Sequence, residues 1–212
     1  AAGDLGALRA GLPVALVPRC RPDAVLARYA PEVVVRDGSI AADTRTTLDR
    51  DLHDDLAVLL STSGSTGSPR LVRLSHANLD SNAEAVVATL ALTDTDRAVT
   101  TLEPTYSYGL SVLHSHLAAG AGVVLTDLSV TDPGFKDIVR RHGVTTMAAV
   151  PYTFELLDRL GTSVLQTPSL RQLTCAGGRL PAATARRYAE LGERLGFELV
   201  VMYGATEATA RM

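Results

Sequence analysis

Cysteine is scarce in this chain: Cys20 and Cys175 are its only two, far apart and each in an apolar-rich stretch. That excludes a disulfide framework and points to a reducing compartment, the cytoplasm. No run of about 18 apolar residues occurs, so no membrane span is expected. The chain opens Ala1-Ala2-Gly3, without a basic segment leading into an apolar one, so no signal peptide is visible. An initiator methionine is also missing, and the chain is expected to be a piece of something longer. Basic residues are not in excess: 20 Lys plus Arg against 23 Asp plus Glu give a net charge of -3. A general binder of nucleic acid or of membrane surfaces would need a basic patch. What is present is ordinary for a globular protein: 212 residues, 46% of them apolar, enough to bury a core.

Strand-like and helix-like stretches alternate along most of the sequence. A short helical segment ends at Ala10 and is stopped by Gly11. Strands are expected at 13–17, 32–35, 56–60, 70–74, 98–101, 122–125, 145–150, 173–176 and 198–202. Helices are expected at 22–30, 78–92 with Ser75 as N-cap, 110–119, 135–142, 153–160 and 182–195. This alternation argues for α/β layers around a largely parallel sheet. Residues 37–55 break the rhythm. They hold six aspartates and few apolar side chains, and read as a solvated connector.

The most informative stretch lies between two apolar strands. Ser61-Thr62-Ser63-Gly64-Ser65-Thr66-Gly67-Ser68 contains only hydroxyl residues and glycine, and Pro69-Arg70 follow. Glycine lets the backbone turn tightly and bring its N–H groups close to a ligand. Successive N–H groups form a concavity suited to anionic oxygens. The hydroxyls add donors, and Arg70 adds a fixed forked cation. These parts suit a polyphosphate. The loop is not a Walker A motif, because Gly64 and Gly67 are too close and a strand, not a helix, follows. Gly120-Ala121-Gly122 lacks the third glycine of a dinucleotide fingerprint and reads as a turn. No Gly-x-Ser-x-Gly elbow supports a serine hydrolase. His114 and His116, two apart on a helix, point to different sides and make a poor shared metal site. They read as packing or partly exposed residues, His53 as a surface residue, and His142 as a helix-end residue. Cys175 reads as a buried strand residue, not a nucleophile.

The loop resembles the phosphate-binding signature of the adenylate-forming superfamily, Thr-Ser-Gly-Ser/Thr-Thr-Gly-x-Pro-Lys, which Thr62 to Pro69 follow. Arg70 stands where the family has lysine and Leu71 where it has glycine. Further segments match in the family's order. Leu8-Arg9-Ala10-Gly11-Leu12-Pro13-Val14 resembles an early strand-entry motif. Pro104-Thr105-Tyr106-Ser107-Tyr108-Gly109-Leu110 resembles the border of the acyl pocket. Ala176-Gly177-Gly178-Arg179-Leu180-Pro181 resembles the glycine pair along adenine, and Met202-Tyr203-Gly204-Ala205-Thr206-Glu207 resembles Tyr-Gly-x-Thr-Glu. The resemblance covers essentially the whole chain.

The resemblance implies a layered α/β/α fold with a largely parallel sheet, as in the large N-terminal domain of these enzymes. Residues 1–55 would be the leading part of that domain, and 56–212 would carry the ATP-loop, acyl-pocket and adenine segments. It implies phosphate contacts from Thr62, Ser63, Gly64, Ser65, Thr66, Gly67, Arg70 and Thr206. Adenine would lie against Gly177, Gly178, Arg179, Tyr203 and Gly204, and Mg²⁺ on Glu207 with Thr66. Arg70, Thr206 and Glu207 would act in catalysis. Tyr106, Tyr108, Pro151, Tyr152 and Gly177 would line the substrate pocket. The residue types fit these roles: a tyrosine ring offers a flat face to a purine, and a carboxylate is a hard ligand for Mg²⁺.

The implied activity is ATP-dependent activation of an acyl or aryl carboxylic acid to an acyl-adenylate. Transfer to coenzyme A or to the phosphopantetheine of an acyl carrier protein would follow. The segment around Tyr106 lacks the aspartate that peptide-synthetase domains use to pair an α-amino group. Amino-acid adenylation and a non-catalytic nucleotide-binding fragment remain the alternatives. No Thr-Gly-Asp segment and no C-terminal lid domain follow within this sequence. The 212-residue chain alone is therefore expected to adenylate weakly or not at all.

Overall fold

The computed structural model describes residues 2–18, 22–36, 39–42, 52–62 and 70–211. Two compact units divide the chain, Ala1–Asn78 and Leu79–Met212.

The first unit begins with helix α1 (Ala2–Arg9), which ends where Gly11 takes φ 68°. Strand β1 (Val14–Leu16), helix α2 (Pro22–Tyr29) and strand β2 (Val33–Arg36) follow. Strand β3 (Ser39–Ala42) pairs antiparallel with β2, Val35 opposite Ile40. This corrects the reading of 37–55 as a connector throughout. Four of its residues form the second arm of a hairpin, although all four are exposed and Ile40 is the only large apolar side chain among them.

Strand β4 (Leu56–Ser61) buries Ala57, Val58 and Leu60 completely. It runs parallel to β1 and antiparallel to β5 (Leu71–Ser75) in a three-stranded sheet ordered β1-β4-β5. The Tyr29 hydroxyl accepts the Leu71 N–H at 3.1 Å and ties α2 to this sheet.

Helix α3 (His76–Thr89) leads into the second unit. Ser75 caps it reciprocally with Asn78: the Ser75 Oγ accepts the Asn78 N–H at 3.1 Å, and Asn78 Oδ1 accepts the Ser75 N–H at 3.0 Å. Five parallel strands then form one sheet in the order β10-β9-β8-β6-β7. They are β6 (Arg97–Val99), β7 (Gly122–Val124), β8 (Thr146–Ala149), β9 (Gln172–Cys175) and β10 (Glu198–Val201). The connecting helices are α4 (Ser107–Ala118), α5 (Phe135–Arg141), α6 (Pro151–Leu160) and α7 (Ala182–Leu195).

Alternation along the strands sorts side chains to two faces. Val99, Met147, Ala149, Leu173 and Cys175 meet Phe135 and Val139 of α5, Phe154 and Leu157 of α6, and Tyr188 of α7. Ala98, Ala148, Ala176 and Met202 meet Val86 of α3 and Tyr108 and Val112 of α4. Helices thus cover both faces, as a parallel sheet requires, and the second unit is a three-layer α/β/α sandwich. Among the described residues, no helix is long and apolar enough to cross a membrane.

Candidate nucleotide and acid site

Four of the singled-out segments leave one edge of the five-stranded sheet. The segment 104–110 follows β6, 150–152 follows β8, 176–181 follows β9 and 202–207 follows β10. All are carboxyl ends of parallel strands, where open α/β sheets bind ligands.

Cross-bonds hold these ends in place. The Thr101 hydroxyl donates to the Ala148 carbonyl at 2.5 Å, joining the exit of β6 to β8. Helix α4 starts at Ser107, three residues before the expected start. Tyr106 is its extended N-cap residue and supplies no side-chain cap. Gly109 is required in this first turn, because a Cβ there would run into the Glu103 carbonyl. Helix α6 opens with Pro151 at its first turn, and the Thr153 hydroxyl accepts the Val150 N–H at 3.2 Å.

Gly177 has φ +80°, a left-handed conformation, and a Cβ there would collide with the Tyr106 hydroxyl. Gly178 abuts the Pro151 ring, 3.2 Å from where its Cβ would stand. Gly177, Gly178 and Arg179 are exposed, and Tyr203 presents its ring at 73% exposure. Gly204 lies where any side chain would strike the Ala210 carbonyl, so the turn after Tyr203 can close only on glycine.

Thr206 is buried at the start of a short 3₁₀ turn, Thr206–Ala208, with its Oγ1 3.2 Å from the Ser107 Oγ. Glu207, in the same turn, is exposed. The structure therefore brings Gly177 against Tyr106 and Val150, Gly178 against Pro151, and Ser107 against Thr206. Tyr152 is 59% exposed on α6.

Tyr108 is placed differently from its expected lining role. It is 2% exposed, its hydroxyl lies 2.7 Å from Thr174 Oγ1, and its ring packs in the core beneath α4. Burial pushes its phenol up to about 12, so the hydroxyl stays protonated. Sequence reasoning passed over Ser107, Thr174 and Arg211. Ser107 stood inside a quoted segment, whereas nothing local marks Thr174 or Arg211. The Arg211 guanidinium is buried, 3.2 Å from Ser111 Oγ and 3.1 Å from Ser115 Oγ, and lies 5.1 Å over the Tyr108 ring.

In the first unit, Ser61 of β4 pairs with Leu71 of β5, so the two strands fix both ends of the Ser/Thr/Gly loop. Thr62 and Arg70 flank it and are exposed. Ser63, Gly64, Ser65, Thr66, Gly67, Ser68 and Pro69 lie outside the described residues, as does Cys20.

No three or more His, Cys, Asp or Glu side chains converge among the described residues. Of the two residues expected to hold Mg²⁺, Glu207 is exposed at this edge and Thr66 lies outside the described residues. That ion takes one or two carboxylates and fills its remaining positions with water and phosphate. His116 is no ligand. It is 2% exposed, its Nδ1–H donates to the Val112 carbonyl at 2.8 Å, and its Nε2 accepts the Thr146 hydroxyl at 2.7 Å. Cys175 is buried and its thiol is pushed up to about 11, which removes it as a nucleophile.

A doubly covered parallel sheet whose carboxyl edge carries glycine turns and an exposed tyrosine defines an open α/β protein, a class that binds ligands at that edge. The sequence matches the AMP-binding enzyme family over residues 5–212, and the chain belongs to that family, the adenylate-forming superfamily. It is 30% identical over 174 residues to the medium-chain fatty-acid–CoA ligase of Escherichia coli (strain K12), 80% of this chain and 30% of that protein. It is 33% identical over 194 residues to tyrocidine synthase 3 of Brevibacillus parabrevis, 87% of this chain and 3% of that protein. Among solved structures it is similar to o-succinylbenzoate coenzyme A synthetase of Bacillus subtilis in complex with ATP and magnesium ion. That match has a TM-score of 0.60 and 28% identity, covering 74% of this chain and 31% of that one. The chain thus spans less than a third of the length of each of these relatives.

Proposed function

We propose that this chain is the central part of the large domain of an AMP-forming acid–thiol ligase. In that reading a carboxylate oxygen attacks the α-phosphorus of ATP. The bond from that phosphorus to the bridging oxygen breaks, and pyrophosphate leaves with the electron pair. A thiolate, from coenzyme A or a carrier-protein phosphopantetheine, then attacks the acyl carbon and AMP departs. The observation that carries the reading is the common edge: Tyr106, Gly177, Gly178, Tyr203 and Thr206 all follow carboxyl ends of one parallel sheet, and Thr206 is held by Ser107.

Each residue has a part in this proposal. Tyr203 offers a face to adenine, and Gly177 and Gly178 let the purine lie close to backbone. Thr206, its hydroxyl oriented by Ser107, contacts the α-phosphate. Thr62, Ser63, Gly64, Ser65, Thr66, Gly67 and Arg70 cradle the outer phosphates. Glu207 and Thr66 would hold Mg²⁺, which supplies charge screening on the phosphate oxygens. The chain contributes positioning and fixed dipoles. A soluble enzyme working in the cytoplasm, with a small acid and in some cases a carrier protein as partners, accords with this assignment.

No acidic residue lies in the first turn of α4, next to Tyr106, to pair an amino group. That supports a plain acyl or aryl acid. The likeness to tyrocidine synthase 3 supports the second reading, an amino-acid adenylation domain. Pyrophosphate exchange on the full-length polypeptide that contains this chain separates the two. Exchange with acyl or aryl acids is expected, and exchange with amino acids alone would overturn the choice. The 212 residues alone are expected to bind AMP and to form little or no adenylate. Robust acyl-AMP formation by this piece would contradict that.

A further inference from the structure

We infer that Arg211 is a positioning residue: its buried guanidinium anchors the strained turn that presents Thr206 and Glu207. The inference rests on the acid-activation reading above, which gives Thr206 the α-phosphate and Glu207 the Mg²⁺.

The turn is held against its backbone preference. Thr209 and Ala210 follow the 3₁₀ turn with φ 63° and 102°, two consecutive side-chain-bearing residues in the left-handed region. Such conformations are costly and last only where the surroundings impose them. The Ala205 carbonyl accepts the Ala208 and Ala210 N–H groups, each at 3.0 Å, and the Ala210 carbonyl closes on Gly204. These contacts fold the turn on itself. Thr206 touches Ser107 at the start of α4. Arg211, directly after the strained pair, ties the other end to two helices.

The Arg211 side chain is buried. Its Nε and Nη2 donate to Ser111 Oγ and Ser115 Oγ, one turn apart on α4, at 3.2 and 3.1 Å. Its carbonyl accepts the Asn82 amide of α3 at 2.8 Å, and Asn82 Oδ1 accepts the Ser111 hydroxyl at 3.0 Å. The guanidinium also lies 5.1 Å over the Tyr108 ring. These partners are neutral. Burying a cation on neutral partners is expensive, and an apolar side chain of similar length would pack beside α4 at less cost. What the guanidinium adds is a planar fork. Its two donors reach successive turns of one helix and fix the path of the chain as it leaves the turn.

The test uses the full-length polypeptide that contains this chain, with Arg211→Met, Arg211→Lys, and Arg211→Met combined with Ala210→Gly. Circular dichroism is expected to match the unaltered protein in all three. In Arg211→Met the amides of 205–210 should exchange roughly tenfold faster or more, while those of β8 and β9 keep their rates. In pyrophosphate exchange with a panel of acyl and aryl acids, kcat should fall by roughly ten- to a hundredfold. KM for ATP should stay within about twofold, because Gly177, Gly178 and Tyr203 are left in place. Arg211→Lys keeps the charge but loses the fork, and should lose kcat as well. Ala210→Gly relieves the strain that the anchor opposes, and should restore part of the loss. Turn amides as protected in Arg211→Met as in the unaltered protein would overturn the proposal. So would full activity in Arg211→Lys, or amides of β8 and β9 that speed up as much as those of the turn. Should Arg211→Met fail to fold, Asn82→Ala releases the Arg211 carbonyl and is read in the same way. Absence of exchange by the unaltered protein with any acid would reject acid activation itself, and the amide rates would still decide whether Arg211 holds the turn.

Discussion

At Gly177 two constraints meet. The backbone has φ +80°, and the Tyr106 hydroxyl stands where a Cβ would go. An L-residue in the left-handed region costs about 1–2 kcal/mol before any contact is considered. Gly177→Ala is therefore expected to lower the unfolding free energy by about 2–3 kcal/mol, since the ring must also give way. AMP binding should weaken with it. Tyr106→Phe in the same chain removes the nearest atom and leaves Cζ at 3.4 Å, an ordinary contact. The double variant should recover the contact share of the loss and keep the backbone share. Urea unfolding of the two variants checks this, and no recovery at all would mean that Tyr106 moves aside freely. Gly178 has no positive φ and meets only the Pro151 ring, so Gly178→Ala should cost less.

Among the elements, α4 and β8 share a buried imidazole. His116 of α4 donates from Nδ1 to Val112 and accepts at Nε2 from Thr146, an arrangement that requires the neutral ring. Burial pushes its pKa down from 6.5 to about 4. The unfolded chain regains the ordinary value, so between those two pH values it binds a proton that the native state refuses. Unfolding free energy should accordingly fall as pH drops from 6.5 toward 4, by on the order of 3 kcal/mol in all. Asp96 follows a different schedule. Its burial alone would raise the pKa, but Arg171, Thr145 and the Thr93 N–H outweigh this and hold the carboxyl well below the usual 3.8. Its contribution is present above that ordinary value and is lost as pH falls below it. His116→Gln should flatten the loss between pH 6.5 and 4 and leave the steeper loss at lower pH. Denaturant curves at stepped pH decide this, and an unchanged slope in the variant would place the proton elsewhere. These pairs also mark how far local pattern reaches. Each strand of the five-stranded sheet was legible as an apolar run bounded by turns, and Ser75 as a cap, because both signals are local. Strand β3 was not, since Ser39-Ile40-Ala41-Ala42 is exposed throughout and owes its form to pairing with β2. The Asp96–Arg171 pair, 75 residues apart, and the Tyr108–Thr174 pair, 66 apart, depend on which strands become neighbours. The site segments could be named from the sequence, but that Tyr108 faces inward while Tyr106 stays at the edge is decided by where α4 begins.

Over the whole molecule, burial is unevenly divided. Strands β8 and β9 are buried at every position, lie between neighbours in a parallel sheet, and have a hydrophobic cluster on each face. The β2–β3 hairpin is a two-stranded sheet whose residues are almost all exposed, with Val33 at 53%, Val35 at 56% and Ile40 at 74%. Two strands without a covered face are marginal by themselves. Amide exchange should therefore span the full range within one chain. The N–H groups of β8 and β9 are expected to open only with global unfolding. Those of β2 and β3 should exchange by local fraying, orders of magnitude sooner. Strand β4, with Ala57, Val58 and Leu60 fully buried, should fall near the slow end. Adding AMP gives the same experiment a second readout. If adenine lies along Gly177, Gly178 and Tyr203, the amides of 176–179 and 203–207 should slow on binding while β2 and β3 keep their rates. Slowing confined to β2 and β3 would move the nucleotide away from the sheet's carboxyl edge. A hairpin as protected as β9 without ligand would mean that another surface covers Val33, Val35 and Ile40.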